Sequence, residues 1–295
     1  MRSSTVEGAN RVNRRILMTT STQTLDADRA LKAKHRAIWA SGSYETIVNE
    51  IVSPLGPILV RAAGVQPSDR VLDVAAGTGS ASIPAAEIGA QVVASDLTPE
   101  LLDIGRRDAE ARGISLEWRT ADAEALPFGD DEFDVVLSCI GVMFAPHHQA
   151  SADELVRACR PGGTIALLSW TPEGLIGQLF ATMKPYAPPP PPGAQPPPLW
   201  GNEEHVRELF GDRVTNVEVR RQTLEVTRFD VPEDLREHFK TNYGPTIATY
   251  RNIADDPERV AALDRALADV ARRFDRGGDR TVLDWEYLVV TARKR

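Results

Sequence analysis

The chain has 295 residues, 42% of them hydrophobic and 26% charged, enough to bury roughly three quarters of its unfolded surface in one large domain or two small ones. Thirty-four basic residues against forty-two acidic ones leave a net charge of -8, a field that opposes a polyanion over most of the surface and excludes a general nucleic-acid binder. No apolar run approaches the ~20 residues of a membrane helix, the N-terminal stretch has no apolar leader, and Cys139 and Cys159 are too few for a disulfide framework or an all-cysteine zinc site. A cytoplasmic protein with two buried thiols is expected, and its oligomeric state is left open.

Residues 1–24 are polar, rich in Ser and Thr and locally basic, and are read as a disordered tail. Two helical patterns follow over 25–64. The first carries His35, Ile38 and Trp39, the second Ile47, Ile51 and Val52 before Pro54, and together they are expected to form an N-terminal helical cap rather than core.

Residues 65–175 alternate short β-rich runs, at 70–74, 91–95, 115–118, 133–138 and 164–169, with helix-like segments. Strands separated by helices require crossover connections, so this stretch predicts a doubly wound, mainly parallel Rossmann-like sheet. Thr98 is a good N-cap before Pro99, and Ser151 with Glu154 forms a capping-box pattern. Pro161-Gly162-Gly163 should end that second helix, and Pro84 should delay or kink the helix expected after Gly79.

The Pro-rich connector, 176–200, includes a run over 187–198 that cannot donate ladder hydrogen bonds and should be polyproline II. A stiff connector beside the active site is preferred to an SH3-type ligand, because the run sits between patterned segments. Residues 201–295 should supply a short helix near Asn202, a strand over 214–226, a helix bearing Leu235, Phe239 and Tyr243, a longer helix ending before Gly277, and a last strand over 285–292. The whole is an α/β fold with seven strands, N-terminal helices and a C-terminal helical insertion on the substrate side.

Chemistry concentrates at three strand ends. The first predicted strand runs into Asp73-Val-Ala-Ala-Gly-Thr-Gly79, whose glycines let backbone approach a ligand closely. Asp96 ends the next strand, 17 residues beyond Gly79, where a carboxylate accepts from both hydroxyls of a ribose. Asp122 follows the third strand, placed to accept from an adenine amino group. A turn, a ribose acceptor and an adenine acceptor along one sheet edge point to an adenosine cofactor.

With Asp96-Leu97, Ala121-Asp-Ala123, Leu126-Pro-Phe128, Phe133-Asp-Val-Val-Leu-Ser-Cys139 and Arg160-Pro-Gly-Gly163, the chain resembles the class I S-adenosylmethionine-dependent methyltransferases, in the branch similar to the ubiquinone/menaquinone-biosynthesis enzymes. The resemblance covers roughly 65–170 and is specific for fold and cofactor, not for substrate. It implies that Ala75, Gly77 and Gly79 line the methionine part and Asp96 holds the ribose. It further implies that Asp122 with Ala123 contacts adenine, that Cys139 and Ile140 approach the sulfonium, and that Asp73 and Leu97 complete the S-adenosylmethionine set. Ala75 departs from the family, which has glycine there. A nicotinamide dinucleotide would need Ser82 as its third glycine, and a non-catalytic S-adenosylmethionine-binding protein is the other alternative.

Methyl transfer from a sulfonium needs alignment and exclusion of water rather than a dedicated acid. A hydroxyl or phenol acceptor would gain from a base, and His147 or His148, after the fourth strand, could serve; the alternative is that both are ordinary loop histidines. Trp39 and Tyr44 could face the sulfonium by cation-π attraction or simply pack the helices. Phe144, Tyr186, Trp200 and Tyr243 are candidates for the pocket of a small, apolar or aromatic methyl acceptor. No cluster with metal-ligand spacing accompanies them, so a metal-dependent mechanism is not expected.

Overall fold

The computed structural model describes residues 28–278 and 280–295, and the tail read over 1–24 lies outside them. Its strands are β1 (Arg70–Val74), β2 (Gln91–Asp96), β3 (Glu117–Thr120), β4 (Phe133–Cys139), β5 (Cys159–Trp170), β6 (Val214–Val226) and β7 (Leu283–Lys294). They form one sheet in the order β3-β2-β1-β4-β5-β7-β6. The first five strands run parallel, and β7 lies antiparallel between β5 and β6. Strand order reverses at β1, which pairs with β2 on one side and β4 on the other. Open α/β sheets bind ligands beyond the carboxyl ends of the strands at such a reversal.

Burial explains the strand sequences. Val71, Leu72, Val74, Val136 and Leu137 in β1 and β4 are buried, because helices cover both faces, so these strands read as nearly continuous apolar runs. At the sheet edge β6 alternates half-buried and exposed side chains, the signature of one wet face.

The helices are α1 (28–39), α2 (Tyr44–Ile47), α3 (Leu55–Ala63), α4 (Ser82–Glu87), α5 (Pro99–Ala111), α6 (His148–Ala158), α7 (Leu175–Met183), α8 (Glu203–Phe210), α9 (Glu233–Asn242), α10 (Gly244–Asn252) and α11 (Pro257–Phe274). A π turn over Val48–Val52 joins α2 to the bend before α3. Four details depart from or refine the sequence reading. The second helical pattern is core, not cap: Ile47, Ile51 and Val52 are buried, and α3, which begins only after Pro54, packs against β4 and β5. Pro84 is accommodated because α4 starts only at Ser82, so the missing N–H falls in the first turn, where it has no intrahelical partner. The Ser151–Glu154 capping box does not form. His147 is the N-cap of α6, Ser151 lies inside the helix, and Glu154 instead accepts from the Leu126 N–H at 2.6 Å and pairs with Arg157. Helix α10 was not expected, because its buried face is built of Gly244, Thr246, Thr249 and Tyr250 rather than a periodic apolar stripe.

Candidate active site

A cleft of about 790 Å³, counted to its mouth, opens beyond the carboxyl ends of β1, β2 and β4 and lies beneath α1. Its floor is the turn after β1. Ala75 and Gly77 both have left-handed backbones, φ +55° and +57°, which bend the chain sharply enough to expose the peptide groups between them. Across the turn Gly141 is obligatory: a Cβ there would stand 2.0 Å from the Ala75 carbonyl oxygen.

Asp96 is the polar centre of the cleft. It is 8% exposed; one carboxylate oxygen accepts from the Gly77 N–H at 2.8 Å and the other from the Thr98 N–H at 2.7 Å. Burial pushes its carboxyl up while these backbone donors pull it down, with burial the larger effect. Each oxygen keeps acceptor capacity, so the residue fastens the turn and still presents a hydrogen-bonding edge to the cleft.

Beneath the floor, Asp73 accepts from the Ser82 hydroxyl at 2.6 Å, and its other oxygen has no partner among the described residues. Burial raises its carboxyl to about 7. Ser138, fully buried, donates to the Val74 carbonyl at 2.7 Å and accepts from the Val142 N–H at 2.8 Å, tying the ends of β1 and β4 around Ile140. Burial also pushes the Cys139 thiol well up, which keeps it protonated and poorly nucleophilic.

One wall is aromatic. Trp39, at the end of α1, meets Phe144 edge-on at 4.6 Å, Tyr44 at 5.4 Å and Tyr243 at 5.7 Å between ring centroids. At the opposite end Lys32 bridges Asp122 at 3.0 Å and Glu124, which also accepts from the His147 backbone N–H at 2.7 Å. Glu124 stays ionised despite partial burial, because the bonds from Lys32 and His147 together outweigh desolvation.

Of the predicted site residues, Trp39, Tyr44, Ala75, Gly77, Asp96, Leu97, Asp122, Ala123, Cys139, Ile140 and Phe144 all line this cleft. Gly79 instead packs under Trp118, where a Cβ would come within 2.7 Å of the ring, and Asp73 lies below the floor. Neither His147 nor His148 lines the cleft. The first is half-exposed and bonded to Glu124, and the second is fully buried, its Nδ1 2.9 Å from His205 Nε2 and its ring against Trp200. Trp200 is therefore a core residue by packing. Tyr243 stands behind Trp39, and Tyr186 has the Arg259 guanidinium over its ring at 5.6 Å.

The sequence reading missed Lys32, His35, Glu124 and Ser138. Among the described residues His35 is the histidine that lines the cleft, and burial together with Lys32 lowers its pKa. The first three act across long sequence separations, so local patterning carries no signal for them; a serine closing a buried apolar strand is the one local hint at Ser138. No group of three metal-ligating side chains occurs among the described residues.

Residues 71–163 match a family described as a methyltransferase domain. An uncharacterized protein of Mycobacterium tuberculosis is 52% identical over 268 residues, covering 91% of this chain and 97% of that protein. A demethylmenaquinone methyltransferase of Thermus thermophilus is 39% identical over 115 residues, 38% of this chain and 52% of that enzyme. The crystal structure of a putative methyltransferase from Bacillus halodurans superposes with a TM-score of 0.54 at 21% identity, over 81% of this chain and 98% of that one, a likeness of fold.

Proposed function

Because the chain belongs to the class I S-adenosylmethionine-dependent methyltransferases, we propose that it methylates a small, apolar or aromatic acceptor that enters beside Trp39 and Phe144. The observation that carries the cofactor placement is Asp96: a buried carboxylate at the end of β2, fastened to Gly77 and Thr98, with acceptor capacity left towards the cleft.

The donor set suits the cofactor chemically. Asp96 would hold the ribose hydroxyls, and Leu97 and Leu101 offer apolar contact for an adenine ring. Asp122 can receive the adenine amino group if Lys32 shares it, while Gly77 and Ala75 expose backbone for the methionine part. When bound, S-adenosylmethionine would supply an electrophilic methyl carbon for the acceptor's lone pair, with its sulfur as the leaving group. Trp39, Tyr44 and Phe144 exclude water and offer π faces to a cation. His147 and His148 stand outside the cleft wall, so the reading gives them no proton-transfer role. A proton lost by a hydroxyl acceptor would pass to His35, held neutral at pH 7, or to solvent.

Titration calorimetry tests this with S-adenosylhomocysteine and NAD as separate ligands. The homologous nucleoside should bind in the micromolar range and NAD should not. Asp96→Asn should weaken the first by ten-fold or more, since hydrogen bonds to a charged group contribute ~1.5–3 kcal/mol. Undiminished affinity in that variant would move the ribose contact elsewhere, and binding of NAD alone would replace the cofactor.

A further inference from the structure

A second cavity adjoins the first and shares His35, Trp39, Phe144 and Pro146 with it, so whatever fills the second reaches the aromatic wall of the first. It is the wider of the two, a trough of about 1720 Å³ open to solvent, bounded by α1, the end of α7, α10 and the Pro-rich segment. Its interior is apolar, with Ile38, Phe180 and Met183 on helices and Pro188 to Pro191 opposite. Proline rings present apolar surface on a backbone whose φ is fixed, so this wall is preformed and loses little entropy when a ligand settles on it. The segment is also fastened: the Gln195 N–H donates to the Pro146 carbonyl at 3.0 Å, joining the proline run to the loop after β4.

The charges of this cavity run against those of the chain. In a protein with 42 acidic and 34 basic residues, its wall contains Lys34, Lys184 and Arg251 and no Asp or Glu. All three cations are exposed and make no ion pair among the described residues. Lys184 and Arg251 belong to one rim, because Asn252 Nδ2 donates to the Tyr186 carbonyl at 2.9 Å and links the end of α10 to the chain just beyond α7. Lys34 stands on α1. An apolar trough with cations and no carboxylate selects for an apolar body bearing an anionic head.

We propose that this trough is the acceptor site and that its ligand is a small amphiphilic anion, an apolar body carrying a carboxylate or phosphate held by Lys34, Lys184 and Arg251. The inference rests on the methyltransferase reading, which makes the adjoining cleft the cofactor site.

Calorimetry with decanoate, decyl phosphate and decanol, on protein saturated with S-adenosylhomocysteine, tests it. Both anions should bind at least about ten-fold more tightly than decanol, and added NaCl should shrink that difference. The stronger of the two anions identifies the head group. The Lys184→Ala/Arg251→Ala double variant, and separately Lys34→Glu, should lose most of the preference while keeping the affinity for S-adenosylhomocysteine. Equal binding of decanol and the anions, or a preference that survives both variants, overturns the assignment with the cofactor reading intact. Failure of S-adenosylhomocysteine to bind the unmodified protein overturns the cofactor reading and this inference with it.

Discussion

Ala75 and Ile140 follow the ends of neighbouring strands with left-handed backbones, φ +55° and +61°, a conformation that costs an L-residue about 1–2 kcal/mol. The strain sits where β1 and β4 open the cleft, and it is held from outside: Ser138 grips both strand ends, and the Ile140 N–H donates to the Leu168 carbonyl at 2.7 Å. Ala75 departs from the family's glycine, and its φ angle shows that the burden of that departure is conformational. Ala75→Gly should therefore stabilise the fold. Removing the left-handed penalty outweighs the extra freedom glycine gains in the unfolded chain, ~0.5–1 kcal/mol, and leaves a net gain of up to about 1.5 kcal/mol. Urea unfolding of the two proteins measures the difference. A loss of stability would mean that the Ala75 methyl, packed against Gly141, contributes more than its backbone costs.

The elements that carry the strand ends were legible in the sequence because their signals are local: apolar runs of five to seven residues, Pro99 opening α5 and Asn202 capping α8 all lie within a few residues of what they determine. What the sequence did not disclose depends on partners brought in from afar. Glu154 has the spacing of a capping-box residue, yet Leu126 and Arg157 take its oxygens, and α10 buries threonines whose burial no periodicity announces. Helix α1 is the clearest case. Lys32 lies 90 residues from Asp122, but with Glu124 that pair fastens α1 across one end of the cleft, while Trp39 holds the other end in the aromatic cluster. Breaking a largely buried pair leaves carboxylates without a counter-charge. Lys32→Met should raise amide exchange over residues 28–39 by about ten-fold, equivalent to ~1.4 kcal/mol of easier local opening, and leave β1 and β4 protected. Unchanged exchange in α1 would assign its anchoring to the aromatic cluster alone.

Across the whole molecule, burial sets two opposing responses to pH. Desolvation lowers His35, His148, His205 and His238, with His148 brought down to about 4. The unfolded chain protonates these rings below their ordinary value near 6.5 and the folded chain resists, so their contribution is complete above 6.5 and is lost as pH falls towards the folded values. Asp73 acts in the other direction. Raised by burial to about 7 from 3.8, it favours the folded state at low pH and loses that contribution as pH rises through 7. Burial raises the Asp96 carboxyl in the same sense, and four histidines outnumber these two carboxyls, so unfolding free energy should increase between about pH 5 and 6.5, each group contributing a slope of at most ~1.4 kcal/mol per pH unit. The two kinds of group are separable because their variants act oppositely. His148→Gln should flatten the rise by removing a ring that the folded state keeps neutral, and Asp73→Asn should steepen it by removing one of the carboxyls that oppose it. Urea titrations at several pH values give the slopes; a His148→Gln slope equal to that of the unmodified protein would show that the pair it forms with His205 takes up its proton without cost to the fold.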